Sequence, residues 1–205
     1  MRLRLSAIAA LTAIAMAAIP SLAGPPKAQI TDPVGDANGI NQQFPGVGPN
    51  PPDTVTAPAD LSSADIVSVT FATTFVTKIV KRKRVNTPNG FTVTMALAAA
   101  PTPNIEYRVS GAAGGCSSVF FEYDTSAQTG GADIRCPATP PAMSVTYNGT
   151  AAISGSKIVW TVPAGAFPSG TTFSSLDAQT RTVAVAVTAP QIDYATSTAT
   201  YTVGK

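Results

Sequence analysis

The chain is expected to fold as an all-β antiparallel sandwich, immunoglobulin-like or jelly-roll-like, of about nine or ten strands joined by hairpins. Three observations predict this. Apolar and polar residues alternate with period two in run after run, the pattern of a half-buried strand. Turn-forming residues punctuate the runs. No window beyond the leader shows an apolar period of 3.6, so the crossover helices that a parallel sheet needs are missing.

The strands follow in order. "DIVSV" and the Phe71 run open the series, and "FTVTMALA" sets Phe91, Val93, Met95 and Leu97 on one face. "IEYRV" repeats the pattern through Ile105, Tyr107 and Val109, and "VFFEYD", "KIVWTV" and "RTVAVAVT" continue it, the last through Val183, Val185 and Val187. Val, Thr and aromatic residues dominate these runs, as a pleated surface selects. "TPNG" at 87–90 is expected to start the Phe91 strand. Asn148-Gly149 reads as a two-residue hairpin turn first, although Asn148 also fits a glycosylation sequon. "SGSK" at 154–157 reads as the next turn, "AGAF" after Pro163 as a single helical turn at most, and "YATSTATYTVGK" as a closing, weakly apolar strand.

Residues 1–23 read as a secretory signal peptide: a basic "MRLR", an apolar run, and "SLA" before Gly24. Secretion to the extracellular space is therefore expected, with no membrane span, because no other stretch is apolar enough. Residues 24–64 form an acidic, Pro/Gly-rich lead-in, and 65–205 the sandwich on which it packs as one domain. Arg2 and Arg4 leave with the signal, so 13 Lys+Arg become 11, equal to the 11 Asp+Glu. That balance supplies no global basic field for nucleic acid. Cys116 and Cys136 are the only cysteines, and an oxidising compartment favours a disulfide between them.

The chemistry is bounded by what is missing. With no histidine, Ser-His-Asp and Cys-His machinery and histidine-ligated zinc are excluded. No glycine-rich phosphate loop is present. A two-carboxylate glycoside hydrolase would have to draw on Glu106, Glu122, Asp124 or Asp133, and no spacing singles out a pair. A non-catalytic protein is expected.

Asp32, Asp36, Asp53, Asp60 and Asp65 fall within 34 residues that hold no Lys, Arg or His. Like charges gathered in a compact domain cost free energy unless water or a counter-ion separates them. Calcium is the natural extracellular counter-ion, and takes about six to eight oxygens from carboxylates and carbonyls. "DPVGDANG" offers Asp32, Asp36 and Asn38, with Gly35 and Gly39 to bend the chain, and Asp65 stands where the first long strand begins. No EF-hand fits, since the twelfth positions counted from Asp32 and Asp36 are Gln43 and Val47. Solvated turns explain the same composition, and on composition alone they stand ahead.

"ITDPVGDANG", a Pro/Gly/Asn-rich insertion and "ADLSSADIVSVTFATTF" together resemble the start of calcium-binding DOMON-like sandwich modules, which are similar to family 9 carbohydrate-binding modules. "SGSKIVWTVPAGAFPSG" resembles a later strand and turn of the same modules. The resemblance implies a structural calcium held by Asp32, Asp36, Asn38 and Asp65, and moves the metal reading ahead. It also implies polysaccharide or another cell-wall polymer as a partner. Family 9 modules clasp sugar between aromatic rings; here Trp160 shares a face with Ile158 and Val162, as a core residue would, and Phe44 and Tyr147 are single rings. The expected function is a secreted binding module with structural calcium. The alternative is a structural or interaction domain of the cell envelope.

"KIVKRKRV" at 78–85 is expected at a hairpin tip or its flanks. Lys81 to Arg84 would then either contact an anionic polymer or simply be solvated, blunting an edge against aggregation.

Overall fold

The computed structural model describes residues 26–37, 62–114, 116–125, 131–136, 145–182 and 191–205; for 116–117, 131–136, 145–148, 182 and 191 it describes the backbone alone. The expected signal peptide, Asn38, Phe44, Asp53, Asp60 and the Val183–Val187 run lie outside these residues, and so do the side chains of Cys116 and Cys136.

Among the described residues the chain is all β, with eleven strands: β1 (Ile30–Thr31), β2 (Ile66–Val80), β3 (Lys83–Leu97), β4 (Ile105–Ala113), β5 (Cys116–Asp124), β6 (Gly131–Cys136), β7 (Val145–Ser154), β8 (Lys157–Val162), β9 (Thr172–Thr182), β10 (Gln191–Ser197) and β11 (Tyr201–Thr202). All pairings are antiparallel, in the order β1-β2-β3-β8-β7-β6-β5-β4-β9-β10, with β11 beside β9. The expected fold class, an antiparallel sandwich, is the one observed.

The path folds back on itself because one face of each long strand is apolar. Val69 and Phe71 of β2, Phe91 to Leu97 of β3 in alternation, and Ile158, Trp160 and Val162 of β8 form one inner face. Tyr107 and Val109 of β4, Val119 and Phe121 of β5, and Phe173, Leu176 and Ala178 of β9 form the other. Rings join the layers: Phe121 stands edge-on to Phe71 and to Phe91, at 5.8 and 6.3 Å between centroids. Trp160 is fully buried, as its alternation implies, and its Nε1 donates to the Glu122 carbonyl of the opposite layer at 3.0 Å.

Two expected turns are strand interior instead. Asn148 and Gly149 lie within β7, opposite Asp133 and Ala132 of β6. The ladder satisfies their backbone from a neighbouring strand, and that long-range pairing overrides the local turn preference. The turn falls at Gly155-Ser156, inside "SGSK", where Ser154 faces Lys157 and Gly155 has φ 60°. "TPNG" likewise lies within β3, at a bulge where the register shifts between Thr73 and Phe75 of β2. "AGAF" makes a hydrogen-bonded turn, Ala166 N donating to Pro163 O at 3.3 Å, and no helix. The closing segment is two strands, β10 and β11, both on β9.

Gly90 sits at the bulge with φ 93°, and a Cβ there would stand 2.1 Å from the Val162 carbonyl oxygen. Gly90→Ala is therefore expected to cost about 3 kcal/mol in urea unfolding, from backbone strain and displacement of β8. A cost below about 1 kcal/mol would mean that the bulge relaxes freely.

Candidate cation site at the meeting of three segments

The site lies where the two ends of the strand path meet. Ile30 is buried and anchors β1 on β2, and Asp32 N continues the pairing by donating to Val67 O at 3.1 Å. The chain then turns at Val34-Gly35 and presents Asp36. Gly35 has φ 91°, which this turn requires, and its N–H donates to Asp65 Oδ2 at 2.6 Å. The turn is thereby tied to the start of β2.

The third segment is β10. The register shifts between Gln191 and Asp193, so Ile192 and Asp193 are both buried, which strict alternation would forbid. Asp193 Oδ2 accepts from Ile66 N at 2.6 Å and Oδ1 from Tyr194 N at 2.7 Å. These bonds aim the carboxylate at the β1 turn.

One carboxylate oxygen each from Asp32, Asp36 and Asp193 lies within 4.8 Å of the others. Two oxygens on one calcium, each about 2.3–2.6 Å away, stand at most about 5 Å apart, so one ion can reach all three. Asp65 is 2% exposed; its Oδ1 and the Oδ2 of Asp32 are buried with no hydrogen-bond partner among the described residues. Buried anionic oxygens without a donor are costly, so the site is electrostatically incomplete as it stands. Burial, then the charges of Asp193, Asp36 and Asp65, push the Asp32 carboxyl from 3.8 up to about 6. Asp193 is also pushed up, chiefly by burial and further by Asp36 and Asp65; the N–H groups of Ile66 and Tyr194 pull the other way.

Three of the four sequence-predicted ligands therefore stand together: Asp32 and Asp36 within the cluster, and Asp65 beside it through Gly35. Asn38 lies outside the described residues. Asp193 is the member that sequence reading missed. Its only signal is a lone acid just before the Thr-rich closing run, 128 residues from Asp65.

The other candidates lie elsewhere. Glu106 pairs with Arg181 through two bonds of 2.8 and 2.6 Å, and Glu122 lies 3.1 Å from Arg108, whose guanidinium also covers the Phe120 ring. Asp124 faces Glu106 across the β4–β5 ladder, while the side chains of Asp133 and Tyr147 are outside the description. Tyr194 is an exposed ring, 43% accessible, at an open groove of about 720 Å³ with Ser175, Asp177, Thr196 and Thr198. No helix among the described residues is long and apolar enough to cross a membrane. Comparison with family models, with curated proteins and with solved structures finds no match.

Proposed function

We propose that the protein is a secreted, non-catalytic binding module in which calcium, held by Asp32, Asp36 and Asp193 with Asp65 beside them, fastens the amino-terminal lead-in to the sandwich. The observation that carries this reading is convergence. Three carboxylates from two distant segments, Asp32 and Asp36 of the β1 turn and Asp193 of β10, bring their oxygens within 4.8 Å, while two buried oxygens of the group find no donor among the described residues. The resemblance of "DPVGDANG" and "ADI" to calcium-binding DOMON-like modules supports the same ion. Oxygen-only ligands favour a hard cation, and calcium accepts an irregular, carboxylate-rich set of oxygens more readily than magnesium, which demands near-ideal octahedral geometry.

An extracellular polysaccharide is the ligand class that best fits the groove at Tyr194. An accessible ring offers a stacking face, and Asp177 with the nearby hydroxyls offers hydrogen bonds. Affinity electrophoresis through gels loaded with different glucans tests this, with Tyr194→Ala as the variant that loses retardation. Equal mobility in every gel would leave the cell-envelope interaction role.

For the ion, calorimetric titration of chelator-treated protein is expected to give one calcium site. Asp193→Asn should weaken it by at least tenfold, as should Asp32→Asn with Asp36→Asn, because each removes a charged ligand. Asp124→Asn should leave it unchanged. Absence of calcium heat in the native protein, or full binding by the Asp193→Asn variant, would sink the site.

A further inference from the structure

The β2–β3 hairpin continues far beyond the sandwich. From Phe75 to Asn89 every residue is exposed, and the register runs from Phe75 opposite Pro88 to Val80 opposite Lys83. Six residues per strand at about 3.4 Å project the ribbon roughly 20 Å. The tip is a two-residue turn in which Lys81 and Arg82 both have positive φ, 48° and 65°. Turns of this kind favour Asn-Gly, so two cations here run against local preference.

The composition is equally particular. Lys78, Lys81, Arg82, Lys83 and Arg84 lie on this ribbon, and no acidic residue occurs between Asp65 and Glu106. Apolar side chains are interleaved with them: Ile79 is 67% exposed, Val80 50%, Phe75 46% and Val85 43%. Across the ladder Ile79 faces Arg84, Val80 faces Lys83, and Val85 faces Lys78. Each distal rung therefore pairs an apolar residue with a cation.

We propose that this hairpin docks on a membrane surface rich in anionic lipid, the cations at the headgroup phosphates and Ile79, Val80 and the cation stems in the acyl boundary. A soluble polyanion would answer the charge and leave the apolar residues unexplained. Protection of an edge strand needs cations and gains nothing from exposed Ile79 and Val80. An interface with acidic headgroups and an apolar interior answers both, since long cationic side chains lay their stems along apolar surface and keep the charge in water. The last three rungs span about 10 Å, the depth to which interfacial segments sink. This inference is independent of the calcium site.

The test is flotation with vesicles of mixed phosphatidylglycerol and phosphatidylcholine against vesicles of phosphatidylcholine alone. No calcium is added, so the ion cannot bridge protein and lipid. The full chain is expected to float with the anionic vesicles and at least tenfold less with the neutral ones. Replacing the tip by the turn-favouring pair, Lys81→Asn with Arg82→Gly, removes two charges at about 1 kcal/mol each and should weaken binding about 30-fold with no loss of melting temperature. Ile79→Ser with Val80→Thr keeps every cation and should also weaken binding, leaving a residue that salt abolishes. Ile79→Trp should show a blue-shifted emission component with anionic vesicles only. No flotation, or equal flotation on both vesicles, would overturn the proposal. So would unchanged binding by Ile79→Ser with Val80→Thr joined to equal affinity for soluble polyphosphate, which would mark a polyelectrolyte site. Concentration-dependent dimerisation lost in that variant, without flotation, would assign the ribbon to a second copy of the chain.

Discussion

Calcium at about a hundred times its dissociation constant is expected to raise the melting temperature by about 5–11 °C at pH 7.5, with the gain vanishing toward pH 4. The size follows from mass action, which yields about 2.7 kcal/mol at that excess, and from a shift of about 2–4 °C per kcal/mol in a domain of this length. The pH dependence follows from the carboxylates. Asp32 titrates near 6 when folded and near 3.8 when unfolded, because burial and the charges of Asp193, Asp36 and Asp65 disfavour its anion. A raised folded value means that the native state holds the proton more tightly. That stabilisation is complete below about 4 and is lost as pH rises through about 6. Metal-free protein should therefore lose stability across this window from these groups. Calcium competes with the same protons, so its affinity should climb over the same range and reverse the trend. Differential scanning fluorimetry from pH 4 to 8, with calcium and with chelator, would display two curves that coincide in acid and separate above about pH 5. Parallel curves, or a chelator without effect at any pH, would refute the proposed ion site. Asp32→Asn with Asp36→Asn should flatten the chelator curve, since the repelling charges are gone.

Much of this site was legible and one part was not, for a reason of topology. Asp32 and Asp36 flank the turn-forming Gly35, so acid density drew attention to them, while the resemblance to DOMON-like modules singled out Asp65 and moved the metal reading ahead. Asp193 joins through the pairing of β10 with β9 and the closure of β10 on β2, contacts that no local pattern reports. Its inward position also depends on a bulge, which sets Ile192 and Asp193 on the buried side in succession. The same limit governed the turns. Asn148-Gly149 has strong turn chemistry, yet β6 claims it as strand. The reversal at Lys81-Arg82 falls within the hairpin tip expected at 78–85, and the pairing of β2 with β3 fixes it there although the two residues are poor turn formers. Strand existence was readable because alternation is local. Strand ends were not, because partners decide them.

Phe71→Ala is expected to lower stability by about 4 kcal/mol, or roughly 8–16 °C in melting temperature, whereas Phe75→Ala, four residues along the same strand, should stay within about 0.5 kcal/mol. Period-two alternation alone would assign the two rings to one face. Phe71 is 2% exposed and its centroid lies 5.7 Å from Phe173 of β9, 5.3 Å from Tyr201 of β11 and 6.4 Å from Phe91 of β3. With Phe121 of β5 these rings span both layers, and Tyr201 OH is further held by Thr73 Oγ1 at 2.9 Å. Removing the ring opens a cavity bounded by other rings, which cannot collapse without parting the layers, so the cost belongs at the upper part of the range for buried aromatics. Phe75 lies past the bulge, where the ribbon has left the body and the ring is 46% exposed. Its truncation removes area from water rather than from the core. Urea melts of the two variants separate the cases. Similar losses would mean that the hairpin base packs as part of the sandwich, and the free-standing ribbon on which membrane docking depends would shrink to its tip.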